Sequence, residues 1–318
     1  MTNGMGYKAS IGFGTETTFG TGVASTNFLE LNSGGDGLGV TEEQLFPNGL
    51  SNVFSDVNKV VQGAVTVSGE LTFDMRFSGW ERLFRYGMGT VDITQPDGTI
   101  MGQHVFKITD ELPGSLSVAV NRDICSFRAE GAMINTLNVK GNNAGLLACS
   151  FGIVAEELGT LAAETATLST SPLVTFAMGV CTYGTGTVLL ESWDFTLNNN
   201  LATDRRFIGS RFIKQPMRNG RVEVSGNLVF EFEDTAKYLD FRNNTSRALS
   251  IAYTGGSLGA GTGSYSLTFS FANIKLTSGV PMVASAGRIK LNCSFKAYAA
   301  DTNTRELVVT AKNLTTTA

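Results

Sequence analysis

The chain has 318 residues and a mass of 33.8 kDa; 42% of its residues are hydrophobic, 16% are charged, and its formal net charge is -4. This length is sufficient for two ordinary domains with their own cores. The composition excludes a disordered chain and a coiled coil, and the charge excludes a basic protein that coats nucleic acid.

The first predicted elements are a short strand over residues 28–31, a long polar and aromatic excursion, and a long strand over residues 65–77. In the long strand the odd positions are apolar or Gly, whereas the even positions carry Thr, Ser, Glu, Asp and Arg. This period of two predicts one dry and one wet face. At about 3.3 Å per residue the strand spans roughly 43 Å, a length typical of a barrel or tube wall.

A short amphipathic helix is predicted next, over residues 79–86, and it is followed by strands over residues 106–108, 116–120, 134–139 and 146–154. The Thr-, Ala- and Ser-rich segment 160–187 is interpreted as the connection between two halves. In the second half, the sequence predicts strands over residues 189–197, 220–232, 265–271 and 289–298 and a helix over residues 234–242. We expect a mainly β protein, a sandwich with one small helix per half.

The two halves repeat each other. Residues 63–75, GAVTVSGELTFDM, align with residues 220–232, GRVEVSGNLVFEF, at an offset of 157, and 7 of the 13 positions are identical. A second echo aligns residues 147–151 with residues 291–295 at an offset of 144, so the first half carries about a dozen extra residues between the two landmarks. We predict a duplicated domain, with a first copy over residues 1–160 and a second over residues 161–318.

Two connections, over residues 32–62 and 198–219, are longer than compact domains use. The first is predicted to form a hairpin arm with its tip at Pro47-Asn48-Gly49. Both carry apolar or basic side chains that are candidates for contact with another subunit: Leu45, Phe46, Leu50, Val53, Phe54, Arg205, Arg206, Phe207, Ile208, Phe212 and Ile213. The alternative is that each connection folds back on its own core; docking on another subunit is the favoured interpretation.

The sequence carries no catalytic constellation. His104 is the single histidine, and the four cysteines are far apart without a C-x-x-C spacing. The glycine-rich segment 259–263 lacks the lysine of a P-loop, and Glu231 and Glu233 more simply set the potential of one strand face. We therefore predict no enzyme activity, no cofactor and no metal.

The segment Ile11-Gly-Phe-Gly-Thr-Glu16-Thr-Thr-Phe19-Gly20-Thr21, the Gly-x-x-x-x-x-Gly strand, the short helix and the long loop together resemble the tail tube (major tail) protein family of long-tailed, non-contractile bacteriophages. The resemblance covers essentially the whole chain. It implies tail-tube-type β-sandwich or barrel domains, here duplicated, each with a flanking helix and a long hairpin loop. Copies form rings that stack into a hollow tube, the conduit for DNA ejection.

Most members of that family place six one-domain subunits in a ring. A duplicated chain is similar to the minority type, in which a homotrimer of two-domain subunits forms a pseudo-hexameric ring; hexamers of this chain are the alternative. The resemblance also implies a structural virion protein of a siphophage tail, assembled in the host cytoplasm. Its partners would be its own copies, the tape measure protein, and the tail terminator and distal tail proteins. The long loops and an N-terminal arm would fasten one ring to the next.

If the repeated strand lines such a tube, its wet face points into the lumen with seven charged side chains: Glu70, Asp74, Arg76, Arg221, Glu223, Glu231 and Glu233. Their summed charge is -3, from five acids and two arginines, and it would repel DNA phosphates, so that phage DNA passes without specific binding. A basic lumen surface, for example through Arg288, Lys290 and Lys296, would contradict this expectation.

Two other classes stay open as alternatives: a capsid decoration or fibre β module, and an outer-membrane β-barrel porin. The porin is disfavoured because residues 1–10 lack a signal peptide and the chain ends in Leu314-Thr-Thr-Thr-Ala318 rather than in an aromatic strand. We expect a soluble chain without ordinary export and without a membrane partner.

Overall fold

Antiparallel strands make up most of the chain, of which the computed structural model describes residues 3–49, 54, 59–96, 101–259, 263–283, 286–301 and 305–315. The first ten strands are β1 (Ser10–Thr15), β2 (Asn27–Glu30), β3 (Gly39–Leu45), β4 (Val61–Asp74), β5 (Gly89–Thr94), β6 (Gly102–Ile108), β7 (Leu116–Asn121), β8 (Cys125–Asn142), β9 (Ala148–Ala155) and β10 (Glu157–Ala162). The others are β11 (Gly179–Tyr183), β12 (Gly186–Val188), β13 (Leu190–Asn198), β14 (Glu223–Glu231), β15 (Arg247–Ser257), β16 (Ser264–Leu276), β17 (Lys290–Ala297) and β18 (Val308–Asn313). The helices are α1 (Glu81–Met88) and α2 (Ala236–Arg242), and 3-10 turns lie at Gly6–Lys8 and Phe176–Met178.

Seven strands form one continuous antiparallel row that crosses both halves, in the order β3–β4–β9–β8–β13–β14–β17. We call it the long row. Along β4, Val67, Leu71 and Phe73 are buried, whereas Ser68 and Glu70 are exposed. The alternation predicted for this strand is confirmed, and it gives the long row one dry and one wet face.

Two shorter rows pack against the dry face. They are β2–β1–β7–β8–β10 and β12–β11–β15–β16–β18–β6–β5. Phe13 of β1 lies 5.8 Å from Phe151 of β9, and Phe195 of β13 lies 5.4 Å from Phe269 of β16, measured between ring centroids. Because the apolar faces meet in this way, the predicted β-sandwich is confirmed; the strands of the described residues do not close into a barrel within one chain.

Helix α1 closes one end of the first half, because Trp80, Leu83 and Phe84 lie on its buried side. The ring of Trp80 contacts Phe84 at 4.4 Å and Phe106 of β6 at 5.7 Å. Gly89 ends the helix with a φ of 130°, a conformation that residues with a side chain rarely adopt. Both predicted helices are present, shifted by about two residues at their starts.

One prediction about the connections is wrong and one agrees with the structure. The segment 160–187, interpreted as a connection, contains the end of β10, all of β11 and the start of β12. The hairpin arm predicted within residues 32–62 is present as the antiparallel pair of β3 with the start of β4, and the seven residues of β3 are all exposed. Neither β3 nor β12 buries one side of its strand, so the sequence shows no alternation there.

The pairing pattern of the first half recurs in the second. Val40 pairs with Val67 between β3 and β4, and Leu197 pairs with Val224 between β13 and β14, so both residues of the second pair are 157 positions later. The hairpin of β5 and β6 lies between α1 and β7, whereas only residues 243–246 separate α2 from β15. This hairpin accounts for the extra residues of the first half. The division at residue 160 stays a prediction.

Asn199 joins the two halves at a buried point beside the β8–β13 pairing. Its amide nitrogen donates to the carbonyl oxygens of Gly87 at 2.8 Å and Ile134 at 3.0 Å, and its Oδ1 accepts from Arg218 at 2.8 Å. Asn199 is fully buried, so water cannot replace these bonds.

Replacing Asn199 with Ala should lower the free energy of unfolding by about 2 kcal/mol or more, because buried carbonyl groups lose their donor. Thermal unfolding followed by circular dichroism measures the loss. Asn143→Ala is the matched control, since Asn143 is exposed and a change there should stay within about 0.5 kcal/mol. Equal losses in the two variants would contradict the role of Asn199.

Candidate functional surfaces

The wet face of the long row is a continuous polar surface. Six neighbouring strands, β4, β9, β8, β13, β14 and β17, each place one paired residue on a line across this face. In strand order these residues are Asp74, Ala148, Lys140, Asp194, Asn227 and Ser294. A neighbouring line carries four hydroxyls, one amide and one lysine: Thr72, Ser150, Asn138, Thr196, Ser225 and Lys296. The polar face therefore crosses both halves without interruption.

Of the predicted lumen residues, Glu70, Asp74, Glu223 and Glu231 lie in the strands of this polar face. Glu70 accepts a hydrogen bond from the hydroxyl of Ser150, and Asp74 accepts one from the amide of Asn32 at 2.9 Å. The other three lie beyond the strand ends. Arg76 pairs with Glu30 at 3.0 Å, and Arg221 and Glu233 flank β14 and are exposed.

Lysines that the lumen prediction left out neutralise much of the acidic charge. Lys296 lies 2.9 Å from Glu223, and Lys290 lies opposite Glu231 and 2.5 Å from Glu191. In the six strands β4, β9, β8, β13, β14 and β17, without β3 and its Glu42 and Glu43, the charged residues on or beside the polar face are the acids Glu70, Asp74, Glu191, Asp194, Glu223 and Glu231 and the bases Lys140, Arg288, Lys290 and Lys296. The excess is two negative charges, so the surface is of mixed charge. The sequence alternation of β17 indicates that both lysines share one face of the strand, because Lys290 and Lys296 are separated by an even number of positions.

The connection between β13 and β14 lies on the start of β4. Arg206 donates to the carbonyl oxygen of Val65 at 2.5 Å and to the hydroxyl of Thr66 at 2.6 Å. Arg211 donates to the carbonyl oxygen of Gly63 at 2.8 Å, and its own carbonyl oxygen accepts the N–H of Val65 at 3.0 Å. The two arginines thus attach the connection to the first half of the same chain.

This attachment divides the candidate docking residues of the second connection. Ile213 is buried and Phe212 is half-buried against their own chain. Arg205 bonds within the connection, to the carbonyl oxygen of Gln215 at 2.7 Å. Phe207 and Ile208 project outward, with exposed fractions of 58% and 108%. Of the predicted docking residues in this connection, these two are therefore the apolar side chains free to touch another molecule; Met217, which was not predicted, is also exposed, at 57%.

The arm between β3 and β4 exposes most of its apolar side chains. Leu45 and Phe46 are about half exposed, and Phe54 is fully exposed. Leu50 and Val53 lie outside the described residues. The segment before β1 is held on its own chain, since Lys8 pairs with Asp123 at 2.9 Å and the N–H of Met5 bonds the same carboxylate at 3.0 Å.

Three of the four cysteines, Cys149, Cys181 and Cys293, and the single histidine are buried. Burial raises the pKa of Cys181 to about 12 and that of Cys293 to about 11, and it raises the pKa of Cys149 as well, so these thiols stay protonated and unreactive. His104 is buried with its Nε2 2.7 Å from the carbonyl oxygen of Thr315. Within the described residues, no group of three or more His, Cys, Asp or Glu side chains is placed to hold a metal. No helix in the same part of the chain is long and apolar enough to cross a membrane.

Comparison with known protein families gives a match over nearly the whole chain. A family model described as phage tail tube protein matches residues 6–297. The match runs from before β1 to the end of β17, and it includes every strand of the long row. Comparison with curated proteins gave no match.

Replacing Arg206 and Arg211 together with Ala should release the β13–β14 connection from β4, because the donors to residues 63, 65 and 66 are removed. We expect limited chymotrypsin digestion to cut after Phe207 several-fold faster than in the parent chain. Arg221→Ala is the matched control, since that side chain is exposed beside β14. An unchanged cutting rate in the double variant would show that the arginines do not hold this connection.

Proposed function

The chain belongs to the phage tail tube protein family, and from that premise we propose that its copies join into rings that stack into the hollow tube of a phage tail, through which DNA is ejected. The observation that carries the proposal is the long row. One of its faces is dry and covered by the two shorter rows, and the other is polar across both halves. A wall of this kind can face water on its inner side while its outer side is packed in protein.

Two free strand edges support assembly: the outer edge of β3 at one end of the long row, and the end of β16, which pairs with β17 at the other end. The outer side of β3 has no partner strand among the described residues, and β15 covers β16 only as far as Ile274. Unpaired strand edges attract further strands, and a closed ring satisfies them. A ring of copies removes both edges at once.

The recurrence of the strand pairing supports the smaller ring. Val40 and Val67 pair as Leu197 and Val224 do, so each chain supplies two copies of one domain, over residues 1–160 and 161–318. Three such chains give six domains and a pseudo-hexameric ring. Six chains would give twelve domains and a much wider tube.

The charge of the polar face supports passage of DNA without specific binding. Its excess of two negative charges weakly repels phosphates, and the lysines beside Glu191 and Glu223 are engaged in ion pairs. Such a wall offers DNA no run of free cations to which it could adhere.

The exposed apolar residues Leu45, Phe46, Phe54, Phe207 and Ile208 support contacts between stacked rings. Tape measure, tail terminator and distal tail proteins would complete a siphophage tail of which this protein forms the virion's tube wall. Assembly would take place in the host cytoplasm.

Electron microscopy of the purified full-length chain tests the proposal. We expect hollow rods built of stacked rings, with averaged end views that show six repeats in a ring of three chains. Phe207→Ser combined with Ile208→Ser should leave single rings that stack poorly, and Leu189→Ser, at another exposed apolar residue, should stack as the parent does. A chain that stays monomeric at high concentration would contradict the proposed function.

A further inference from the structure

Within the long row, the two halves of the chain meet in an edge-to-edge pairing of strands. Seven residues of β13 pair antiparallel with seven residues of β8, from Ser192 opposite Asn142 to Asn198 opposite Thr136. Leu197 lies opposite Leu137 near one end of this contact, and both are buried. This is the one point at which the long row passes from the first half to the second.

Residues 36–41 occupy in the first half the place that residues 193–198 occupy in the second. Val40 pairs with Val67 as Leu197 pairs with Val224, and Asp36 bridges Leu71 as Trp193 pairs with Leu228. In each case the offset is 157. The outer side of residues 193–198 is covered by β8, but the outer side of residues 36–41 has no strand beside it among the described residues.

The end of β16 occupies the place of the end of β8. In the first half the register runs from Leu71 through Phe151 to Leu137, and in the second it runs from Leu228 to Cys293. Counterparts are assigned here by strand register, which places Cys293 where Phe151 lies; by the sequence offset of 144, Phe151 aligns two residues later, with Phe295. The next residue on that line is Ser278, because Leu276 pairs with Phe295 and the N–H of Thr277 donates to the carbonyl oxygen of Ser294 at 2.8 Å. Ser278 is therefore the counterpart of Leu137, and Val40 is the counterpart of its partner, Leu197.

We propose that residues 38–42 of one chain pair antiparallel with residues 276–280 of the next copy, with Val40 opposite Ser278, so that the contact inside the chain is repeated between chains. This inference rests on the proposed function and specifies its interface: the occupant of both edges is a second copy of this chain.

The direction of the backbone groups agrees with this register. The N–H of Gly37 donates to Glu70, and the N–H of Thr72 donates to Gly35, so odd-numbered residues of this segment bond β4 and Leu38 and Val40 turn their N–H and C=O groups outward. On the other edge the N–H of Thr277 donates to Ser294 of β17, so the backbone N–H and C=O groups of Leu276 and Ser278 turn outward. An antiparallel ladder needs outward-turned residues opposite each other, and the register places even-numbered residues opposite even-numbered ones.

Apolar surface lies at both edges. Val280, Met282 and Val283 follow the end of β16 and are 59%, 75% and 78% exposed, and Val40 on the other edge is about half exposed. Pairing the edges would bring these side chains against a neighbour and remove apolar area from water.

The register also closes a ring of sensible dimensions. A line drawn across the strands from Leu71 passes through Leu137 and Leu197 and reaches Val224. Val224 is the counterpart of Val67, which lies four residues before Leu71. The register therefore shifts by four residues for every four strands crossed. With strands about 4.8 Å apart and a rise of about 3.3 Å per residue, this shift gives a strand tilt of roughly 35°. Three chains then supply 24 strands, from the long row and β16, at a diameter of roughly 45 Å.

Paired cysteines test the register. Thr41 and Thr277 are exposed and lie opposite each other in a non-hydrogen-bonded pair, where Cα atoms are about 4.5 Å apart, within the range of a disulfide. We expect rods of Thr41→Cys with Thr277→Cys to lose the monomer band on oxidation and to yield linked chains up to the trimer on a non-reducing gel.

Three controls make the result specific. Each single cysteine variant should stay monomeric on the gel, and Thr41→Cys with Lys275→Cys should link poorly, because diagonal neighbours are about 7–8 Å apart. Rods without links in the Thr41 and Thr277 pair, or with better links in the Lys275 pair, would overturn the register while leaving the tube intact. A parent chain that forms no rods would overturn both the register and the proposed function.

Val40→Pro provides a second test, because it removes an outward N–H without touching a bond to β4. An edge strand tolerates proline at such a position. We expect the variant to keep the parent's circular dichroism spectrum and to lose rods. Ile93→Pro is the matched control: Thr109 donates to Met88, so the N–H of Ile93 also points away from β6, and this variant should form rods. Rods of Val40→Pro would overturn the inference.

Discussion

A backbone N–H or C=O group at the edge of a sheet must find a partner, and this constraint governs the architecture of the chain. The ends of the long row expose backbone groups that further strands can pair, unless side chains bond them first. One edge is guarded in the free chain: Leu38 donates to Asp36 at 3.2 Å and accepts from Arg122 at 2.9 Å, and Arg122 is paired with Asp36 at 2.6 Å. Glu42 and Glu43 add charge to β3. These side chains hinder pairing with unrelated strands. A second copy that pairs with this edge would have to displace the contact of Arg122 with Leu38.

Fusion of two domains changes how a ring would assemble. Inside the chain, β8 and β13 meet at a high effective concentration because they are covalently linked. A second ladder, between β6 and β18, reinforces the same junction. The second half lacks a counterpart of the β5–β6 hairpin, so in the proposed ring the junction between chains has one ladder where the junction within a chain has two. The proposed ring would therefore open between chains before it opens within them.

The polar face illustrates how a protein surface can stay close to DNA without binding it. Its lysines are held against Glu191 and Glu223, and hydroxyl and amide groups fill the space between charges. Binding to DNA gains most of its free energy when cations displace counterions from the phosphates, and paired lysines are poorly available for this. The surface retains an excess of two negative charges, which is smaller than the charge of -3 expected from the seven predicted residues of the repeated strand.

The amino-acid sequence by itself determined the features that depend on local pattern. The alternation from Val65 identified β4 and its faces, the repeat of residues 63–75 identified β14, and the apolar spacing around Trp80 identified α1, because each pattern reflects burial of one side of one element. The extra residues of the first half followed from the two offsets, and they form the β5–β6 hairpin. Only the tertiary structure decided that β8 reaches across to β13, that Arg206 and Arg211 attach their connection to β4, and that Lys290 and Lys296 stand among the acids of the polar face. These contacts join residues up to about 150 positions apart, and no local period records which strand edge meets which.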